Sequence, residues 1–326
     1  MNNRRKLVVA LSAGALAAPL MSFAQQQTYP SRPVKFVVPF PPGGNLDFLA
    51  RVIQPKFSEF LGATLLVDNR GGAAGIVGAE YAAKQPADGH TIFLGNTGTM
   101  GLYPVVYPKL PYDALKDFAA VGQIAESATL MTVHPSVPVK SLQEFIAFAR
   151  KNPGKLTCAV AGLGSLLHFA SEMLKTRAGI DMLLVPYKGS GPAVTDLIGG
   201  QVDLMLDAPT VTMPYIKAGR LKAIAVIGKT RLVTLPEVPT FEEAGLKNFE
   251  AAGWQGLLVP TGTPAAAVAK LSAALTKTLA QPEVREKFIE QGLDPAPSTP
   301  EQFAAHIRSE IEKWGRLAKA ANIKVD

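Results

Sequence analysis

Apolar residues are spaced in two ways along this chain, in short runs and in longer segments with helical periodicity. The short runs predict strands, and they cover residues 34–39, 64–68, 91–95, 129–133, 155–160, 182–186, 202–206, 221–227 and 255–259. Between them, Leu142, Phe145 and Ala149 share one helical face. Ser141 precedes that face as the predicted N-cap, and Glu144 completes a capping box. This alternation predicts an α/β fold with parallel sheets.

One predicted helix contains a proline. Leu46, Leu49, Ile53 and Phe57 describe its apolar face, and Pro55 lies among them. Because proline lacks an N–H group and its ring crowds the preceding turn, we expect Pro55 to kink or divide this helix.

The pattern becomes purely helical after residue 259, with three consecutive helices predicted at 264–279, 282–291 and 300–321. These helices need a sheet to pack on, whereas the middle of the chain already forms a complete series of strands and helices. The economical arrangement has two lobes. Lobe 1 combines residues 25–126 with 247–326, and lobe 2 comprises residues 127–246.

The N-terminus has the composition of an export signal. Arg4, Arg5 and Lys6 precede an apolar run at 7–20, and the small residues of Ser22-Phe23-Ala24 form a cleavage site. The run is too short to span a bilayer comfortably. Residues 1–24 are therefore a predicted signal peptide cut near Ala24, with a periplasmic mature protein; the alternative is an uncleaved membrane anchor.

Charge and cysteine content limit the functions and the kind of stabilisation that the sequence predicts. The net charge of +7 falls to +4 once the three basic residues of the signal are removed, and no cluster of Lys and Arg follows. Nucleic-acid binding is therefore not predicted. Cys158 is the only cysteine, so no intramolecular disulfide can form and the fold must depend on its core.

Three turns rich in small residues follow predicted strands, at 39–47, 95–99 and 161–165. Ligands of open α/β sheets bind beyond the carboxyl ends of the strands, so the three turns could face one cleft. Their backbone N–H groups and the hydroxyls of Thr97, Thr99 and Ser165 suit a carboxylate. The alternative is that the glycines only make tight turns.

Enzymatic chemistry is weakly supported. Ser165 and His168 could be a nucleophile and a base, but a hydrolase elbow needs glycines where this chain has Leu163 and Leu167. A helix N-cap and a first-turn residue fit the pair better. The four histidines are scattered without ligand spacing, so neither a metal nor a cofactor is predicted.

Eight motifs occur in the order expected of one family: PFPPGG at 39–44 with Asp47, DNRGGAAG at 68–75, PADGHT at 86–91, LPYD at 110–113, GLGSLLH at 162–168, VPYKG at 185–189, DLIGGQVD at 196–203 and LPEVPT at 235–240. Over residues 29–321 the chain resembles the solute-binding receptors of tripartite tricarboxylate transporters, the Bug family. The resemblance implies a two-lobed type II periplasmic-binding-protein (Venus flytrap) fold. It also implies a monomeric receptor without catalysis, which holds a small carboxylate and delivers it to a membrane permease.

The turns and the resemblance together predict a set of ligand-binding residues: Phe40, Pro41, Gly44, Asn45, Asp47, Asn96, Thr97, Thr99, Gly162, Gly164, Ser165, His168, Tyr187 and Asp207. Tyr187, Asp207 and Trp254 are assigned to the far wall, which would choose among carboxylates. Asp207 favours a ligand whose distal group is positive or carries a hydroxyl. Asn45 stands where the family more often has a small or hydroxyl residue. Two alternatives stay open, a periplasmic hydrolase using Ser165 and His168 and a ligand-sensing partner of a signalling protein.

Overall fold

The computed structural model describes residues 29–321, apart from Lys229, Asn248 and Glu250, with the backbone alone at 320 and 321. The predicted signal peptide lies outside the described residues. Within this range none of the helices combines the length and the apolar character needed to cross a membrane.

The described residues form eleven strands: β1 Val34–Val38, β2 Leu65–Asn69, β3 Thr91–Asn96, β4 Phe118–Ser127, β5 Thr129–Val133, β6 Thr157–Ala161, β7 Leu183–Tyr187, β8 Leu204–Asp207, β9 Lys222–Ile227, β10 Gly253–Pro260 and β11 Leu293–Pro295. The same range forms ten α-helices: α1 Asn45–Leu61, α2 Ile76–Ala83, α3 Tyr103–Val106, α4 Leu142–Lys151, α5 Leu166–Ala178, α6 Ser190–Ile198, α7 Pro209–Lys217, α8 Ala265–Leu279, α9 Pro282–Glu290 and α10 Pro300–Ala321. A short 3₁₀ helix covers Ala73–Gly75 and a π-helical turn covers Thr97–Leu102.

The strands form two sheets, one in each lobe. The first has the order β11-β4-β10-β3-β1-β2 and the second has the order β7-β6-β8-β5-β9. Both sheets are mixed, because β10 runs antiparallel to β3 and β4, and β5 runs antiparallel to β8 and β9. The prediction of parallel sheets holds for β1 with β2 and β3 and for β6 with β7 and β8, but not for β10 and β5. The chain enters lobe 2 and re-enters lobe 1 on strands that run against their neighbours.

The passages between the sheets are short. The chain leaves β4 at Ser127 and begins β5 at Thr129, so Ala128 alone joins the two strands. After β9 the chain stays with lobe 2, where Phe249 and Ala251 are buried in its core. It returns to lobe 1 at the start of β10. The predicted boundary at 126/127 falls next to the first passage, whereas the predicted boundary at 246/247 lies before Phe249 and Ala251, which pack in the core of lobe 2.

Pro55 does not divide α1, which continues from Asn45 to Leu61. Because proline has no N–H group, the carbonyl of Arg51 loses its usual partner one turn later. Arg51 and Pro55 both lie on the exposed face of the helix, where water can bond that carbonyl. The buried face packs Leu49, Ile53 and Phe57 on the first sheet, so burial holds the helix together across the missing bond.

The C-terminal helices cover the first sheet, as the sequence predicted. Leu271 and Leu275 of α8 and Phe288 of α9 belong to the core that also contains β1. A second cluster joins the lobes, since Phe169 of α5 packs edge-on against Trp314 of α10 with ring centroids 6.3 Å apart.

Candidate ligand-binding site

A cavity of about 140 Å³ lies between the lobes. Five strands end at this cavity or lead into turns that line it: β1 and β3 of lobe 1, and β6, β7 and β8 of lobe 2. Ligands of open α/β sheets bind at such strand ends. The structure therefore brings the three glycine turns together around one space.

The first turn presents backbone N–H groups to the cavity. Phe40, Pro41, Gly44 and Asn45 line it. Gly44 is the N-cap of α1 and provides no side-chain cap, so the N–H groups of the first helical turn lack intrahelical partners. They also lie at the positive end of the helix dipole. This part of the site can hold an anion without a charged side chain.

Asp47 lies behind this turn and does not line the cavity. Its carboxylate accepts hydrogen bonds from the Gly43 N–H group, from Arg51 Nε and from Asn69 Nδ2, each at 3.0 Å. Asn69 Nδ2 also donates to the Phe40 carbonyl at 3.0 Å. Burial alone would raise the pKa of Asp47, but the bonds from Arg51, Gly43 and Asn69 outweigh it and lower the pKa. The carboxylate supports the shape of the turn.

In the second turn, too, some residues line the cavity and others support the turn from behind. Asn96 and Thr97 line the cavity, whereas Thr99 is fully buried beneath them. The Thr99 N–H group donates to Asn96 Oδ1 at 2.9 Å, and the Asn96 N–H group donates to Thr99 Oγ1 at 3.2 Å. Thr97 Oγ1 accepts a hydrogen bond from the Trp254 N–H group at 2.8 Å. Thr99 thus fixes the turn from which Asn96 and Thr97 reach the cavity.

In the third turn, Ser165 lines the cavity and caps α5 by accepting from the His168 N–H group at 3.2 Å. His168 Nδ1 accepts from the Gly164 N–H group at 3.0 Å. Burial lowers the pKa of His168, which fits a neutral ring with an accepting nitrogen. The ring nitrogen is hydrogen-bonded to Gly164 and not to the Ser165 hydroxyl. The pair therefore caps a helix and does not form a nucleophile with its base.

The glycines of the third turn are required by backbone and space. Gly162 and Gly164 have φ angles of 105° and 72°, which only glycine adopts without strain. A Cβ atom on Gly164 would lie 2.3 Å from the Tyr107 hydroxyl of lobe 1. Neither glycine lines the cavity. They let the two lobes approach at its edge, where Tyr107 donates to the Leu163 carbonyl at 3.1 Å.

The three residues of the predicted far wall have different positions. Asp207 lines the cavity at the end of β8 and is 2% exposed. Tyr187 does not line the cavity, because its hydroxyl donates to Asp196 Oδ2 at 2.7 Å. Trp254 lines the cavity and is itself buried, with its indole N–H group bonded to Glu310 at 3.0 Å.

The sequence reasoning missed several residues that line the cavity. Ser127 and Thr129 flank the passage between the lobes, Ser190 begins α6, and Gln255 lies on β10. Gly189 is the N-cap of α6 and leaves that helix without a side-chain cap. Glycine, serine and glycine at 189–191 directly after a strand repeat the pattern of the other three turns, so a fourth turn could have been predicted there.

Bonds across the cleft tie the two walls together. The Thr210 hydroxyl of lobe 2 donates to Asn45 Oδ1 of lobe 1 at 3.2 Å. Asn45, the residue that departs from the family pattern, therefore contacts the opposite lobe as well as the cavity.

No lysine, arginine or histidine lines the cavity within the described part of the chain. Its titratable residues are Asp207 and Tyr103, and burial raises the pKa of Tyr103 so far that its phenol stays neutral. A carboxylate bound here would be held by N–H and hydroxyl donors. The described residues also contain no cluster of His, Cys, Asp and Glu that could hold a metal ion.

Comparisons with known proteins agree with this geometry. Residues 49–323 match the model of the tripartite tricarboxylate transporter family receptor. A UPF0065 protein encoded between tcbD and tcbE in a Pseudomonas species is 41% identical over 97% of this chain and 94% of its own length. BugT of Bordetella pertussis is 33% identical over the full length of both chains.

Solved structures give the same result. The periplasmic binding protein BugD is 35% identical over 91% of this chain and 99% of its own, with a TM-score of 0.87. A Rhodopseudomonas palustris protein with adipate is 37% identical over 91% and 99%, also at 0.87. MatC of Rhodopseudomonas palustris with bound malate is 35% identical over 88% and 99%, at 0.83. The two-lobed fold predicted from the sequence is confirmed.

Proposed function

The chain belongs to the family of tripartite tricarboxylate transporter receptors, and from this premise we propose that it captures an aliphatic dicarboxylate between its lobes and delivers it to the transporter permease. One observation carries the proposal. The uncapped N-termini of α1 and α6 come from opposite lobes and border one cavity, which no cationic side chain lines within the described residues. Such a site binds an anion through oriented N–H groups and releases it unchanged.

Dicarboxylates are the favoured class because two solved relatives carry adipate and malate. A second carboxylate would also give each lobe an anionic group to bind. Since α1 supplies donors from lobe 1 and α6 supplies them from lobe 2, a ligand with an anionic group at each end favours lobe closure.

Delivery in the periplasm requires export. We propose that the N-terminal segment is a signal peptide removed near Ala24 and that the mature receptor works as a monomer. Mass spectrometry of the exported protein would give the cleavage point, and light scattering would give the oligomeric state.

The test of binding is a thermal-shift assay of the mature chain with succinate, malate, adipate, benzoate, glutamate and glucose. A ligand that binds only the folded protein stabilises it by about 2.7 kcal/mol at one hundred times its Kd. We expect a dicarboxylate to raise the Tm by several degrees. The proposal fails if none of the carboxylates raises the Tm, whether or not glucose does.

Two serine variants separate ligand contact from helix capping. Ser165 and Ser141 are both N-caps that accept a backbone N–H group at 3.2 Å, but only Ser165 lines the cavity. Each Ser→Ala change should destabilise the apo protein by about 1 kcal/mol. Ser165→Ala should in addition weaken carboxylate binding by about 1–3 kcal/mol. Equal affinities of the two variants would remove the Ser165 hydroxyl from the site.

A further inference from the structure

The wall of the cavity contains a buried carboxyl group with few hydrogen-bond donors around it in the described residues. Asp207 Oδ1 accepts from the Ala208 N–H group at 2.7 Å, while Oδ2 is buried and has no hydrogen bond of good geometry in the described residues, although the Ser190 hydroxyl lies close to the carboxyl group. An unpaired buried acceptor is costly, and such groups are few in folded proteins. Asp207 and Ser190 both border the ligand cavity, so a bound ligand would lie beside this buried carboxyl group.

Within the described residues, no positive charge lies against this carboxylate. Its cross-strand neighbour on β5 is Leu130, and its polar neighbours are the Ser190 hydroxyl on α6 and the Ala208 N–H group. Tyr103 borders the same cavity from lobe 1 and is neutral.

The charged groups on the surrounding helices pair with other residues or lie far from Asp207 along their helix. Asp47 and Arg51 of α1 pair with each other, and Asp196 of α6 accepts from Tyr187. Lys217 lies in the last turn of α7, whose first turn is the one that follows Asp207. None of these groups contributes to the pKa of Asp207.

A carboxylate ligand would bring a second negative charge into this space. Like charges repel more strongly at a buried site than in water, because the effective dielectric constant is lower. Two carboxyl groups that share a site therefore bind a proton between them. The proton then turns the Asp207 carboxyl group from an acceptor into a donor for an anionic ligand in the same cavity.

We propose that Asp207 joins the complex as a neutral carboxyl group, which donates a hydrogen bond from Oδ2 to the ligand carboxylate, so that ligand binding takes up one proton from solvent. This inference rests on the proposed function, since it requires a carboxylate in the cavity. It assigns Asp207 the role of coupling affinity to pH. The sequence pattern instead favoured a ligand whose distal group, facing Asp207, is positive or carries a hydroxyl.

Burial supports the proposal by raising the pKa of Asp207 to about 6 before any ligand is present. Below this pKa the free protein is already protonated, and binding takes up no proton. Above it, each unit of pH should weaken carboxylate binding by up to about tenfold, until the pKa of the complex is reached. The ligand carboxyl groups are ionised throughout this range.

The test is isothermal titration calorimetry with the carboxylate that gave the largest thermal shift. Titrations at pH 7 in phosphate and in Tris, which differ in ionisation enthalpy, count the protons taken up. We expect close to one proton for the wild type, and a Kd that rises about tenfold per pH unit between pH 7 and 8.5. Asp207→Asn keeps the shape and a donor, so it should take up no proton and bind more tightly than the wild type at pH 8.5.

The matched control is Asp181→Asn, which removes a negative charge from the exposed surface of lobe 2. It should keep the proton uptake and the pH profile of the wild type. Binding without proton uptake, or weaker binding by Asp207→Asn at every pH, would overturn the inference and leave the receptor function intact. If none of the carboxylates binds the wild type, both the proposed function and this inference fail.

Discussion

Each lobe places one buried aspartate near the cleft, and the two carboxylates have opposite surroundings. Asp47 of lobe 1 is bonded by Gly43, Arg51 and Asn69. Asp207 of lobe 2 has one backbone bond, and among the described residues its second oxygen has only the neighbouring Ser190 hydroxyl close to it, without a hydrogen bond of good geometry. Burial disfavours the charge of both groups, but only Asp47 receives enough donors to reverse the effect, so its pKa falls while that of Asp207 rises.

The difference indicates two roles, one aspartate that supports a turn and one that borders the cavity. Asp47 lies outside the cavity, and its bonds hold the turn that presents Phe40 and Asn45. Asp207 borders the cavity with few donors of its own, so its protonation state depends on the ligand that enters. Whether a buried carboxylate near the end of a strand or helix contacts a ligand therefore depends more on how many donors surround it than on its position in the sequence.

The largest effect should come from Asp207→Asn in the apo protein. Since the folded pKa lies near 6 and the unfolded value near 3.9, the folded state binds more protons between these pH values and loses stability as pH rises through them. The variant has no such loss. Above pH 6.5 it should therefore be more stable than the wild type by roughly 3 kcal/mol, a shift of two pKa units. Denaturant unfolding at pH 4, 5, 6 and 7 measures the gap.

That gap should grow from pH 4 to 6 and then remain constant. A gap that is the same at pH 4 and pH 7 would show that the asparagine side chain stabilises by packing and not by removal of a buried charge. A stability difference near zero at pH 7 would mean that water satisfies Asp207 Oδ2 in the apo protein.

The same substitution at Asp47 should have the opposite sign. Asp47→Asn loses the ion pair with Arg51 and brings an amide N–H group toward other donors, at a cost of about 2 kcal/mol at pH 7. The lowered pKa of Asp47 means that its contribution is present above the ordinary aspartate pKa and is lost as pH falls through the folded value. Unfolding curves at pH 7 and pH 3 should therefore show a smaller cost at the lower pH. A stabilising Asp47→Asn would abolish the contrast between the two aspartates.

Much of the framework could be predicted from apolar periodicity. All nine predicted strands and the three C-terminal helices are present, with bounds shifted by a few residues. The strand β4, Phe118–Ser127, was missed because it is rich in Ala, Gly and Gln, which have weak strand propensity. It becomes a strand because β10 and β11 bond to it on either side. The three-residue β11 has too little sequence to detect.

The sequence identified the turns that form the site, but not the hydrogen bonds that each side chain in them makes. Glycine turns after strands identified Phe40, Asn45, Thr97 and Ser165, all of which line the cavity. The same patterns could not show that the side chains of Asp47 and Thr99 bond to their own turns, because those partners are set by tertiary folding. That the cavity-lining residues bind a ligand stays a prediction.

The smallest effect concerns the bond that joins the two walls. Thr210 Oγ1 donates to Asn45 Oδ1 across the cleft, so this bond exists only while the lobes are together. Thr210→Val keeps the shape and removes the donor, and we expect carboxylate affinity to fall about fivefold, which corresponds to about 1 kcal/mol. The loss should appear in the dissociation rate measured by stopped-flow fluorescence. Thr176→Val, which removes an exposed hydroxyl within α5, is the matched control.

Asn45 also lines the cavity, so Asn45→Ala alone would mix the loss of ligand contacts with the loss of the bond between the lobes. A double-mutant cycle with Thr210→Val separates the two effects, because only the shared bond gives a coupling energy. A coupling near 1 kcal/mol would show that Asn45 couples the first turn to the lobe that contains Asp207. A coupling of zero, with affinity reduced by Asn45→Ala alone, would instead make Asn45 a ligand contact of lobe 1. The two walls would then act separately, one through amide donors and the other through Asp207.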